Sequence, residues 1–110
     1  MLEYIFGNKT AEIVLLNIFH YGEIHASGIA ENTGTAITPI KNQLDRFEKG
    51  GILVSKLVGR SRLYFFNKKS PLLKPVKELL RIVYEATPLT QREKLFSTRR
   101  RPRRKGKPIK

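Results

Sequence analysis

Between Thr33 and Phe66 the chain reads TGTAITPIKNQLDRFEKGGILVSKLVGRSRLYFF, and a change of period inside that stretch restricts the fold more than any other feature. In the first half, Ile37, Ile40, Leu44 and Phe47 recur at helical intervals and fall on one stripe. Thr35 and Thr38 are both good N-cap types, and Pro39 is tolerated only in a first turn. Lys49 followed by Gly50-Gly51 closes the helix with a cation and a residue free to turn left-handed. Opposite the stripe lie Thr35, Thr38, Asn42, Asp45, Arg46 and Lys49, with Lys41 and Gln43 on the flanks. That face offers amides, hydroxyls and cations, the groups that pair with base edges and phosphates.

After the glycines the period falls to two. In ILVSKLVGRSRLYFF, β-branched and aromatic residues alternate with Ser55, Lys56, Arg60 and Arg62 about Gly59. Gly59 suits a tight hairpin turn, which places Arg60 and Arg62 at the tip. A helix over about 36–49 followed at once by a hairpin with its turn at 58–62 is the pattern of a recognition helix and a wing. Upstream, Ser27 to Asn32 forms a short helix that Gly34 breaks, which makes a helix-turn-helix.

The flanking segments are mostly apolar. Leu2 to Phe6 reads as an arm or helical turn, and Thr10 opens a helix through about Tyr21. Its Ala11, Ile13, Val14, Leu15, Leu16, Ile18 and Phe19 wrap more than one face. Such a helix needs a second covering surface; burial in the monomer and pairing with another copy both stay open. Gly22 to Ala26 reads as a short strand. His20 and His25 lack a third ligand at metal spacing, so packing or surface roles are expected of them. After Phe66, Ser70 is a good N-cap with Pro71 at the first helical position. Leu72, Val76, Leu79, Leu80 and Val83 form the inner stripe of that last helix, leaving Leu73, Ile82 and Tyr84 outside. The first and last helices are therefore the expected homodimer interface. The fold class is mainly α with a small β-hairpin.

Charge divides the chain. Of 110 residues, 22 are Lys or Arg and 9 are Asp or Glu, a net charge of +13. Residues 89–110 hold ten of those cations against Glu93 alone. Residues 1–88 are thus the expected folded domain, and 89–110 a basic tail, disordered when unbound. Its Arg99, Arg100, Arg101, Arg103, Arg104, Lys105 and Lys107 favour a polyanion, above all double-stranded DNA. There is no cysteine, and no apolar run approaches the ~20 residues of a membrane helix. With no leader pattern at MLEYIFGNKTAE, the expectation is a cytoplasmic protein without membrane, metal or cofactor. No carboxylate pair, nucleophile with a spaced histidine or phosphate-cradling loop appears, so an enzyme is not expected. The absence of clearly exposed aromatics on the hairpin lowers RNA as a ligand.

Residues 2–86 resemble the winged helix-turn-helix proteins of the ArsR-like superfamily, which includes small bacterial and archaeal regulators and modules found beside nucleotidyltransferases. The matching segments are FGNKTAEIVLLNIF, IAENTGTAITPIKNQLDRFEKGGIL, VGRSRLYFFNKKSPL and LLKPVKELLRIV. The resemblance implies that Thr38–Arg46 lies in the DNA major groove, that the wing touches neighbouring backbone, and that first and last helices pair two protomers. By position it implicates Thr35, Thr38, Lys41, Asn42, Gln43 and Arg46, with Arg60 and Arg62. Metal-sensing members carry cysteines at the start of the recognition region, which this chain lacks. Within the tail, KGKP (Lys105 to Pro108) resembles the core of an AT-hook, although charge alone accounts for phosphate binding without sequence preference. The expected function is that of a dimeric sequence-specific transcriptional regulator. The alternative is a protein-interaction module, for example the partner of a separately encoded toxin or enzyme.

Overall fold

Thirteen residues, Lys9–Tyr21, form the helix on which the others pack. The computed structural model of the chain describes residues 2–87, so the basic tail and its arginines and lysines lie outside the described residues. In chain order, α1 (Glu3–Phe6) is followed by α2 (Lys9–Tyr21), β1 (Glu23–His25), α3 (Ala26–Thr33) and α4 (Ile37–Lys49). Then come β2 (Leu53–Val58), β3 (Ser61–Phe66) and α5 (Leu73–Ala86). The class is mixed α+β, with five helices and one antiparallel sheet among the described residues.

Helix α2 opens one residue before Thr10 because Asn8 caps it, its Oδ1 accepting from the Ala11 amide at 2.7 Å. Ala11, Val14, Leu15, Leu16 and Ile18 are all buried within the single chain. Most of the apolar circumference of α2 is therefore covered by its own domain: α1, α4, α5, β1 and β3 all touch it. Of the two covers left open for α2, burial in its own domain accounts for these five side chains, while Ile13 and Phe19 stay partly exposed. The large apolar side chains left exposed lie on α1 (Tyr4, 88% exposed, and Ile5), on α5 and the turn before it (Ile82 and Leu72), at the start of α4 (Ile37) and near the tip of β2 (Leu57 and Val58). Helix α5 begins at Leu73, with Ser70 and Pro71 in the preceding turn; the expected stripe holds at Val76, Leu79, Leu80 and Val83, its first member is Leu73 rather than Leu72, and Tyr84, expected outside, also packs against the core. Leu80 and Val83 are buried and Leu73 packs against the core, whereas Leu72 faces out.

A polar contact crosses this core. Asn32 Nδ2 on α3 donates to Asn17 Oδ1 on α2 at 3.1 Å, and Asn17 Nδ2 donates to the Ile13 carbonyl at 2.9 Å. Both side chains are fully buried, so the pair sets the register of the two helices.

The sheet is larger than the expected hairpin. β1 pairs with β3 (Ile24 opposite Tyr64) and β3 pairs with β2 (Ser55 opposite Tyr64), giving the order β1-β3-β2. Ile24, Leu53 and Tyr64 are the buried members, one from each strand. On the solvent side Lys56 pairs with Glu23 at 3.4 Å across the sheet.

Leu44 is fully buried, and its removal tests how firmly α4 is seated. Leu44→Ala is expected to destabilise the domain by about 2–5 kcal/mol, read as a lowered urea midpoint at unchanged m-value. A midpoint within experimental error of the parent would contradict this account of α4's anchorage.

Candidate nucleic-acid interface

Helix α3 ends at Gly34, whose φ of 68° turns the chain so that α4 can start three residues later. Ala36 occupies the N-cap of α4 and no side chain caps it, so neither Thr35 nor Thr38 has the expected capping role. Thr35 sits half-buried in the connecting loop and Thr38 is exposed on the first turn. Ile40 and Leu44 are buried and Phe47 packs against the core, which turns the polar side of α4 away from the domain. Ile37, expected on the apolar stripe, is exposed at the helix edge instead.

That polar side divides into three strips. Along the crest, Thr38, Asn42 and Lys49 are exposed, and their side chains make no hydrogen bond or ion pair with any described residue. On one flank, Lys41 and Asp45 look across a groove of about 410 Å³ towards the β2–β3 hairpin, which contributes Arg60, Arg62 and Tyr64. On the other flank the structure differs from expectation. Arg46 reaches back to α1, donating from Nη2 to the Phe6 carbonyl at 3.0 Å and from Nε to Gln43 Oε1 at 3.0 Å. Its guanidinium also lies 5.0 Å from the centre of the Phe47 ring, which in turn meets Phe6 edge-on. Arg46 and Gln43 therefore moor the N-terminal arm in this structure rather than point outward with Asn42.

The hairpin turn is Gly59-Arg60, and a φ of 65° at Gly59 permits the two-residue connection. Arg60 alone of the two arginines is at the tip, where it makes no ion pair with any described residue. Arg62 lies one step into β3, opposite Leu57, and its Nη1 donates to Ser55 Oγ at 3.1 Å. Ser55 Oγ in turn donates to Glu48 Oε2 at 2.7 Å, so a relay of three side chains locks hairpin to helix. Tyr64 stands at the floor. Burial, reinforced by the nearby Asp45 and Glu48 carboxylates, holds its phenol above the ordinary range, so it is neutral at physiological pH.

The groove also draws on residues that sequence reasoning had not assigned to it. His25 and Ser27, from the junction of β1 and α3, line its side, and His25 Nδ1 lies 3.4 Å from the Arg62 carbonyl. A three-residue strand gives little periodic signal, so only the pairing of β1 with β3 brings them there. His20 is elsewhere, with Nδ1 2.7 Å from the Tyr84 hydroxyl. Among the described residues no cluster of metal-binding side chains occurs, and no helix is long and apolar enough to cross a membrane. Chemically, three cations and one carboxylate around a neutral phenol, beside a crest of amide and hydroxyl groups, suit an anionic polymer with hydrogen-bonding edges. Comparison with family models, with curated proteins and with solved structures returns no match to this chain.

Arg46→Ala is expected to speed amide exchange at Phe6 and Gly7, whose N–H groups close the first helix, while shifting the denaturation midpoint less than Leu44→Ala does. Unchanged exchange at both amides would show that the guanidinium does not hold α1.

Proposed function

We propose that this chain is a dimeric, DNA-binding transcriptional regulator of winged helix-turn-helix architecture, with α3 and α4 as the helix-turn-helix and β2–β3 as the wing. The observation that carries the reading is the groove between α4 and the hairpin, where Lys41, Arg60 and Arg62 converge beside the exposed crest of α4. An α-helix of about 10–12 Å diameter fits the major groove of B-DNA, about 12 Å wide. Seated there, α4 would present Asn42 to base edges, where a bidentate pair with adenine discriminates by about 1–3 kcal/mol. In that seating Lys41, Lys49 and Arg60 would meet phosphates, and Thr35 and Thr38 would donate from the helix start. Arg46 would join them only by leaving the Phe6 carbonyl, and Gln43 by releasing the Arg46 guanidinium. The ten cations of residues 89–110 add phosphate contacts by charge alone.

Dimerisation belongs to the same proposal, and the exposed Tyr4, Ile5, Leu72 and Ile82 on and beside α1 and α5 support it. Two-fold pairing sets half-sites about one helical turn apart. The same exposed side chains also favour the second reading, in which they dock a different protein. Sedimentation of the full chain separates the two: Ile82→Glu is expected to convert a dimer to monomer. A parent already monomeric, purified with a stoichiometric protein partner, would favour the second.

On a DNA sequence selected from a random library, Asn42→Ala is expected to lose about 1–3 kcal/mol on the preferred site and little on others. Arg60→Ala should weaken all sequences alike. Equal losses from Asn42→Ala across sequences would remove it from base reading. Deleting residues 89–110 should reduce the steepness of log affinity against log salt by about 0.9 for each phosphate that the tail had neutralised. An unchanged slope would take the tail out of the interface.

A further inference from the structure

At the far end of β3 from the Gly59-Arg60 turn lies a second concave surface. Six residues of strand separate the two ends, roughly 20 Å at about 3.3 Å per residue, so this hollow is distinct from the one facing α4. It consists of two adjoining depressions of about 350 and 440 Å³ that share Phe19, Lys68, Leu73 and Lys77. Phe66 extends its apolar floor, Phe65 borders it from the opposite face of β3 with its ring beneath the Lys56 ammonium, and Lys74 stands on the rim. Either volume falls in the range of small-molecule sites, about 300–1,000 Å³.

The charge balance of the rim selects the ligand. Two carboxylates line the hollow, and each is already engaged: Glu23 with Lys56 at 3.4 Å, and Glu78 with Arg81. Arg81 is likewise committed, holding Glu85 at 2.9 Å on its other side. Lys68, Lys74 and Lys77 make no hydrogen bond through their side chains and no ion pair with any described residue. Three uncompensated ammonium groups thus surround a floor of two phenylalanines, Phe19 and Phe66, and a leucine. Leu73 and Lys77, four residues apart on α5, stand on the same face, so the apolar floor and a cation are presented together.

From this arrangement we propose that the surface between α2, β3 and α5 binds an amphipathic organic carboxylate, its hydrocarbon or aryl body on Phe19, Phe66 and Leu73 and its carboxylate at Lys68 and Lys77. An inorganic anion would leave the aromatic floor exposed to water, and a neutral hydrocarbon would leave the lysines without a counterion. Only a ligand with both parts satisfies both. The site is independent of the reading of α4, because no residue of α4 or of the hairpin turn lines it.

The test uses the full chain, without DNA, titrated with 4-phenylbutyrate and followed by amide chemical shifts. The expected result is saturable shifts confined to Phe19, Phe66, Lys68, Leu73, Lys77 and their neighbours. The neutral isostere 4-phenyl-1-butanol should bind at least about fivefold more weakly to the unaltered protein, because exposed charge pairs contribute measurably but modestly. The double variant Lys68→Gln, Lys77→Gln, at exposed positions, should remove the preference for acid over alcohol. Equal binding of acid and alcohol to the parent, shifts centred on Lys41 and Arg60, or no saturable shift up to the solubility of the acid would each overturn the proposal. Tighter occupation of the same residues by an acidic peptide with apolar anchors would overturn it in favour of a protein partner.

Discussion

Burial of most of α2 is the constraint from which the remaining arrangement follows. Val14, Leu15 and Ile18 are removed from water almost completely, and a helix in that position can be covered only by elements packed around it. α4 supplies Ile40 and Leu44, α3 supplies Ile29, and α5 supplies Leu80, each fully buried. Deleting any one of them would leave a void that so small a domain has little other packing to absorb. The orientation of α4, and hence the direction of its polar crest, is set by that packing rather than by anything on the crest itself.

The hairpin is positioned by different means. Packing seats its inner residues, Leu53, Tyr64 and Phe66; towards the tip the side chains are exposed, Leu57 among them at 63%. Direction there comes from polar contacts: Glu48, Ser55 and Arg62 join the end of α4 to both strands. Asn67 closes the other end, its Nδ2 donating to the Gly51 carbonyl at 2.9 Å and its amide to the Ile52 carbonyl at 2.9 Å. A neutral Tyr64 beneath the relay adds no further negative charge beside Asp45 and Glu48.

Much of this could be read from residue spacing. The stripe Ile40, Leu44, Phe47 located α4 to within a residue, and the alternation around Gly59 located the hairpin. What spacing could not supply were facts that depend on partners distant in sequence. Periodicity says that α2 must be covered, but not by what; the answer required α5, more than fifty residues away. β1 was legible as a short strand, but its place beside β3, and with it the approach of His25 to the groove, emerged only from pairing. Arg46 sits on the helix face where outward cations were expected, yet an accepting carbonyl forty residues earlier draws it aside. Arg62 was one residue too far along β3 to stand at the tip. The tail, legible as charge, lies outside the described residues.

The relay from Glu48 through Ser55 to Arg62 has a thermodynamic consequence. Because helix and strands are already fastened in the free chain, the separation between the backbone positions of Lys41 and Arg60 is fixed before any partner arrives. The backbone share of the conformational entropy is then already lost on folding, whereas the side chains of Lys41 and Arg60, exposed and without ion pairs among the described residues, keep their rotamer freedom in the free chain.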